Sequence, residues 1–191
     1  MLEPDVAQDS AKWPNGPRQK GQGMGLLRRR NEAPKRRYQM KEKLLAIGDD
    51  YWIEDESGAR AFKVNGKVAR LRDTWILEDP SGVEVARIRE RALSVRDAIK
   101  IDIGGAETTV KKALVGIRDR FHVEMEHGED LKVHGNIVDH EYEITRDGDT
   151  IAEISKKWFR VRDSYGIELE DTADPALILA VAVAVDALAH D

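Results

Sequence analysis

Apolar residues recur at every second position through the middle of the chain. Val83-Glu84-Val85-Ala86-Arg87-Ile88, Leu131-Lys132-Val133 and Ile151-Ala152-Glu153-Ile154 show the pattern, with Ala61-Phe62-Lys63-Val64 and Thr109-Val110 as shorter instances. A period of two marks strands with one buried face and one wet face. Turn signals separate the runs: Glu56-Ser57-Gly58, Asp79-Pro80-Ser81-Gly82, Gly104-Gly105, His127-Gly128 and Asp147-Gly148-Asp149. Asp-Gly and Gly-Gly turns between alternating runs predict antiparallel hairpins.

A repeat underlies the alternation. Leu71-Arg72-Asp73-Thr74-Trp75, Val95-Arg96-Asp97-Ala98-Ile99, Ile117-Arg118-Asp119-Arg120-Phe121 and Val161-Arg162-Asp163-Ser164-Tyr165 share one frame. Each runs on to an aliphatic residue and an acid: Leu77-Glu78, Ile101-Asp102, Val123-Glu124 and Ile167-Glu168. Ile47-Gly48-Asp49-Asp50-Tyr51 and Ile137-Val138-Asp139 are degenerate copies, so the repeat has six units spaced 20 to 24 residues apart. Two strands per unit predict about twelve strands in a sandwich or closed barrel. Propeller blades need about 40 residues each, and six do not fit.

Pro175 to Ala189 breaks the period. Its Ala content and length favour a helix, with Asp174 as N-cap and Pro175 in the first turn. The uninterrupted apolar run is Ala176 to Val185, well short of the roughly 20 residues that cross a bilayer. A helix apolar on all sides is normally buried. The expected fold is therefore mainly β: a closed antiparallel barrel of about twelve strands around a buried C-terminal helix. Closure also removes the exposed edges on which strands aggregate.

Charge divides the chain. Residues 1–37 hold nine Lys or Arg against four acids, a local net of +5, and the chain as a whole is at −5, which leaves −10 on residues 38–191. The basic segment also carries four of the six prolines. We therefore expect a disordered basic arm over 1–37 and one barrel domain over 38–191. The arm lacks the apolar run of a secretory signal, and Met24 and Met40 are alternative starts to Met1. The absence of cysteine excludes disulfides and thiolate metal sites and fits a cytoplasmic setting.

The repeat, the apolar C-terminal helix and four runs together resemble the LURP-one-related family. The runs are Tyr38-Gln39-Met40-Lys41-Glu42-Lys43-Leu44, Ile47-Gly48-Asp49-Asp50-Tyr51-Trp52-Ile53-Glu54-Asp55, Leu71-Arg72-Asp73-Thr74 and Val110-Lys111-Lys112-Ala113-Leu114. The resemblance spans about residues 38–190. That family belongs to the tubby C-terminal-like superfamily, with the phospholipid scramblases as cousins. The resemblance implies a twelve-stranded barrel around a central helix. It also implies an association with phosphoinositides or phospholipid membranes.

Candidate chemistry is sparse. The repeated Arg-Asp pairs put an Asp on the apolar face of a regular strand, where an unpartnered carboxylate is expensive. A bulge or bend is expected there, with Asp accepting backbone N–H bonds and Arg pairing across strands. Two basic clusters are candidates for anionic phospholipid head groups. One is Lys111, Lys112, Arg118 and Arg120. The other is Lys156, Lys157, Arg160 and Arg162, interleaved with Trp158, Phe159 and Tyr165. Arg28, Arg29, Arg30, Lys35, Arg36 and Arg37 of the arm are a third candidate, as a membrane-attracting stretch. His134 and His140, with Asp139 and Glu141, match no compact zinc spacing, and no metal is expected.

No nucleophile elbow, Gly-rich phosphate loop or His-Glu-x-x-His motif is present. No catalytic residue and no cofactor are expected. A central helix would also fill the space in which a barrel holds a small ligand. The sequence thus points to a non-enzymatic binding module for anionic phospholipid or phosphoinositide head groups, cytoplasmic and peripheral to the membrane. The alternative is a soluble scaffold that holds a protein partner and no lipid. A monomer without a transmembrane span or specific nucleic-acid contacts is expected, because the barrel is acidic.

Overall fold

In a computed structural model, residues 35–41, 50–69, 72–90, 98–113, 120–158 and 164–189 are described. The alternating runs form twelve strands. They are β1 (Lys35–Lys41), β2 (Tyr51–Asp55), β3 (Arg60–Ala69), β4 (Arg72–Glu78), β5 (Glu84–Glu90) and β6 (Ala98–Ile103), followed by β7 (Ala106–Lys112), β8 (Arg120–Met125), β9 (Leu131–Asn136), β10 (Glu141–Arg146), β11 (Asp149–Ser155) and β12 (Ser164–Glu170). A single 3-10 turn, Lys156–Trp158, follows β11, and helix α1 (Pro175–Ala189) ends the described chain. Each strand pairs with its sequence neighbours, and β1 pairs with both β2 and β12, so the sheet closes into a barrel. The expected architecture is the observed one.

The period of two becomes an inside and an outside. Met40, Ile53, Val64, Leu77, Ile88, Ile101, Val110, Val123, Val133, Ile144, Ile154 and Ile167, one from each strand in order, are all 0% exposed. Charged neighbours such as Arg87, Lys111 and Glu143 stand between the inward positions and form ion pairs on the outer face. The inward ring closes on α1, whose residues Leu177 to Leu188 are all buried. Asp174 caps this helix: its Oδ1 accepts the Ala176 N–H at 3.0 Å and its carbonyl accepts the Ile178 N–H at 3.1 Å. The small Ala and Val side chains let a helix stand where strands surround it on every side.

The barrel has two unlike rims. Odd-numbered strands start, and even-numbered strands end, at what we call the turn rim. Its connections are the short turns 56–59, 79–83, 104–105, 126–130 and 147–148, together with 171–174 leading into α1. Two of these turns are copies of one device. Asp55 Oδ1 accepts the Ser57 N–H at 2.8 Å, the Ser57 hydroxyl at 2.6 Å and the Ala59 N–H at 3.0 Å. Asp79 does the same with Ser81 and Val83. Such side-chain bonds build a turn before any tertiary contact exists.

Helix α1 runs from the turn rim to the opposite, helix-exit rim. Asp49, Asp97, Asp119 and Asp163 lie outside the described residues, as do Arg96, Arg118 and Arg162, and for Arg72 and Asp73 only the backbone in β4 is described. β4 pairs with β3 in unbroken register through Arg72 and Asp73, so the bend expected at that copy is not seen on that side. Register shifts fall at Ile53/Glu54 and Leu77/Glu78, the aliphatic-acid pairs further along the repeat, and at Ile144/Thr145. Asp139 sits in the β9–β10 turn, exposed, and accepts from the Asn136 side-chain amide at 2.6 Å rather than from backbone N–H groups. Beside that turn, Gly135 has φ +144°, and a Cβ there would come within 2.5 Å of the Glu141 carbonyl. Only glycine lets β9 and β10 approach so closely.

Candidate functional site

The first basic cluster begins at the end of β7. Lys111 points outward and its Nζ bonds Glu124 Oε2 on β8 at 2.5 Å. Lys112 is exposed, and no ion pair holds it among the described residues. Arg120 opens β8 opposite His134, and Arg118 lies outside the described residues. Lys111, His122 and Lys132 are direct cross-strand neighbours on β7, β8 and β9, which adds two groups that the sequence reading did not select.

The second cluster begins in the 3-10 turn after β11. Lys157 donates to Glu141 Oε2 at 2.8 Å, and that bond and charge push the ammonium up from its ordinary value. Lys156 is half-buried beside it, while Phe159, Arg160 and Arg162 lie outside the described residues. Tyr165 does not join this surface. It is wholly buried, with its ring inside the barrel. β7 and β11 end on the same helix-exit rim, but β8, β9 and β10 stand between them. The two clusters therefore share a rim without forming one cleft.

The arm divides at β1. Arg28, Arg29 and Arg30 lie outside the described residues. Lys35, Arg36 and Arg37 are the first three residues of β1 and are tied to the turn rim. Lys35 and Arg37 clamp Glu168 at 2.7 and 2.6 Å. Burial pushes this carboxyl up, but the bonds from the two cations outweigh it and hold the group below its ordinary value. Arg36 donates to the carbonyls of Asp171 and Ala173, at 2.8 and 2.5 Å, and so fixes the entry to α1.

The turn rim is acidic. Its six connections hold Glu56, Asp79, Glu126, Glu129, Asp130, Asp147, Asp171 and Asp174, and no Lys or Arg. The crowding acts on one group in particular: a hydrogen bond to Asp147, and that residue's charge, push the Glu129 carboxyl up.

One group of residues escaped the sequence reading. Asp186, on the last turn of α1, is 1% exposed. The Tyr165 hydroxyl donates to its Oδ2 at 2.9 Å, and His140 Nε2 lies 3.2 Å from its Oδ1. The His140 ring, 2% exposed, also stacks on Tyr165 with centroids 4.3 Å apart. His140 reaches inward from the β9–β10 turn with φ +51°, an uncommon backbone state for a non-glycine residue. Tyr51, which opens β2, and Tyr142, the second residue of β10, are buried at the same end. Burial first, and the Asp186 charge second, push the Tyr51 and Tyr142 hydroxyls well above the ordinary tyrosine value. The signal was present in the sequence: a carboxylate in a helix destined for the core requires buried partners. His134 faces outward and pairs with Glu143 at 2.9 Å, so the two histidines of the β9–β10 region point to opposite sides of the sheet.

The sequence model of the LURP-one-related family matches residues 36–186. The fold is similar to the X-ray structure of an Arabidopsis thaliana protein, with a TM-score of 0.61 and 21% identity, over 81% of this chain and 91% of that one. No curated protein matches the chain.

Proposed function

The chain belongs to the LURP-one-related family, and from that premise we propose that it is a non-enzymatic binding module for anionic phospholipid head groups at a membrane surface. The observation that carries this reading is the polarity of the barrel. The six connections of the turn rim hold eight acids and no Lys or Arg, and the β1 cations beside them, Lys35, Arg36 and Arg37, are paired with Glu168 and Asp171, whereas Lys112, Lys156 and Lys157 stand at the opposite rim. An anionic surface repels the first rim and attracts the second, so the charge distribution orients the barrel before contact. Lysines at strand ends can then donate charge-assisted hydrogen bonds to phosphate oxygens. The resemblance to phosphoinositide-binding and scramblase-like relatives supports the same ligand class. Helix α1 occupies the barrel interior, which leaves the outer surface as the face a head group can reach.

Co-sedimentation of the full-length protein with phosphatidylcholine vesicles, with and without a phosphoinositide, tests the proposal. Binding is expected only to the anionic vesicles, and it should weaken between about 0.1 M and about 1 M salt as the screening length falls from about 10 to about 3 Å. Salt-insensitive binding, or none, overturns it. A second protein lacking residues 1–34 keeps β1 whole and separates the arm from the barrel.

A second reading has its own support. Lys35, Arg37, Lys63, Arg87, Arg89, Lys100, Lys111 and Lys157 each pair with a carboxylate. A surface with its charges so balanced suits a scaffold that holds a protein partner. Capture of a stoichiometric partner by a protein that ignores anionic vesicles selects this reading.

A further inference from the structure

The hydroxyls of Tyr51 and Tyr142 are buried and have no hydrogen-bond partner. The residues themselves are only 7% and 3% exposed. Native interiors seldom leave such groups unsatisfied, because a buried hydroxyl without a partner forfeits the bonds it had in water. The two tyrosines come from strands that are not neighbours in the closed sheet. β2 lies beside β1, and β10 lies beyond β12 and β11. Both converge on the end of the barrel where Asp186, Tyr165 and His140 already form a hydrogen-bonded group. Both are near enough to feel the Asp186 charge, yet neither bonds it. Buried donors around one strong acceptor meet the chemical condition for buried water: polar walls and several partners per molecule.

We propose that the helix-exit end of the barrel encloses an ordered water site, in which water bridges the Tyr51 and Tyr142 hydroxyls to the Asp186 carboxylate. The chemistry of the walls favours water over a metal ion. Among the described residues Asp186 is the only carboxylate in the cluster, and its oxygens already face Tyr165 and His140. The three phenols are held in their neutral form by burial and by the Asp186 charge, so none is a ready anionic ligand. Among the described residues no three His, Asp or Glu side chains converge. Water needs no such charge. It donates to the carboxylate and accepts from the phenols, which satisfies every group at once.

The site has a consequence for the helix. Water-bridged tyrosines on β2 and β10 tie α1 to two further strands, beside the direct bond from Tyr165 on β12. The end of the helix is then fixed from three directions by polar contacts.

The test has two arms. A crystal structure of the full chain should show water within hydrogen-bond distance of Tyr51 Oη, Tyr142 Oη and Asp186. Density there that refines as a metal ion, or an empty gap, overturns the proposal. The Tyr51→Phe and Tyr142→Phe variants give the sign. If water satisfies the hydroxyls, each variant melts below the wild type, because a bridge is lost and the water left behind is short of a partner. If the hydroxyls are orphaned, each variant melts at or above the wild type, and the proposal fails. Should a variant not fold, the wild-type crystal structure decides alone.

Discussion

Asp186 stands alone as a charged residue among the twelve consecutive buried positions of α1, Leu177 to Leu188. Its carboxylate is held by the Tyr165 hydroxyl and faces His140, so the three act as a unit rather than as separable contacts. Removing one member of a buried charged group leaves the others unsatisfied, at about 3–5 kcal/mol, whereas replacing the whole group with apolar side chains is often nearly neutral. Asp186→Ala is therefore expected to cost about 3–5 kcal/mol in urea unfolding. The triple change Asp186→Leu, Tyr165→Phe, His140→Leu should recover much of that loss. If the triple variant is no more stable than Asp186→Ala, the cost lies in packing and not in stranded polar groups. At this scale the sequence was least legible. Tyr51, Tyr142 and Tyr165 come from three distant strands, and only barrel closure brings them to Asp186. Tyr165 was also read as part of a basic surface, because its neighbours Lys156 and Lys157 are near it in sequence. Parity settles the matter: Tyr165 shares its inward face with Ile167 and Leu169, all at 0–1% exposure.

At the scale of elements the sequence was far more legible, because strands and turns are specified locally. Alternation placed the inward residues of β9 and β11, and Asp174-Pro175 marked the start of α1; before β5 it also marked Val83, which is exposed, while Ala86 and Ile88 face the core. The exception is β1, Lys35–Lys41, whose inward Tyr38 and Met40 are hidden among basic and polar neighbours. Composition alone assigns Lys35, Arg36 and Arg37 to an arm. What recruits them to a strand is the complementary charge of Glu168 and Asp171, which no local pattern reveals. The hairpin turns carry a pH dependence of their own. In Asp55 the Ser57 hydroxyl lowers the carboxyl most, with backbone N–H bonds adding to it. In Asp79 the Ser81 hydroxyl and the Val83 N–H do the same. A carboxyl held below its unfolded-state value contributes stability above that value, and the contribution is lost as pH falls through the folded-state value. Both turns should therefore weaken as the pH drops below about 4. The wild type is expected to lose stability more steeply over that range than the Asp55→Asn, Asp79→Asn double variant, as thermal melts at successive pH values will show. Parallel curves for the two proteins would mean that the carboxylates do not hold the turns.

For the whole molecule, the charge of −10 on the barrel segment is less informative than where it sits. A uniformly acidic barrel would be repelled by an anionic membrane from every direction. Among the described residues, the connections of one rim carry acids and no Lys or Arg, so the opposite rim can approach such a surface while those acids remain many ångströms away and screened. The proposed function thus requires an orientation, and the orientation is open to test. Neutralising Lys112 and Lys156 to Gln removes two cations from the helix-exit rim. At about 1 kcal/mol per charge near an anionic surface, partitioning onto phosphoinositide vesicles should weaken about 30-fold. Neutralising Glu129 and Asp130 on the turn rim changes the net charge by the same amount in the opposite sense. If only net charge matters, that change strengthens binding as much as the first weakens it. If the rims matter, it leaves binding within about twofold, because at physiological salt charges beyond about 8 Å from the surface are largely screened. Equal and opposite effects from the two pairs would therefore remove the oriented-barrel mechanism while leaving a diffuse electrostatic one. Loss confined to the lysine pair would place the membrane at the rim where α1 ends, directly above the buried cluster around Asp186.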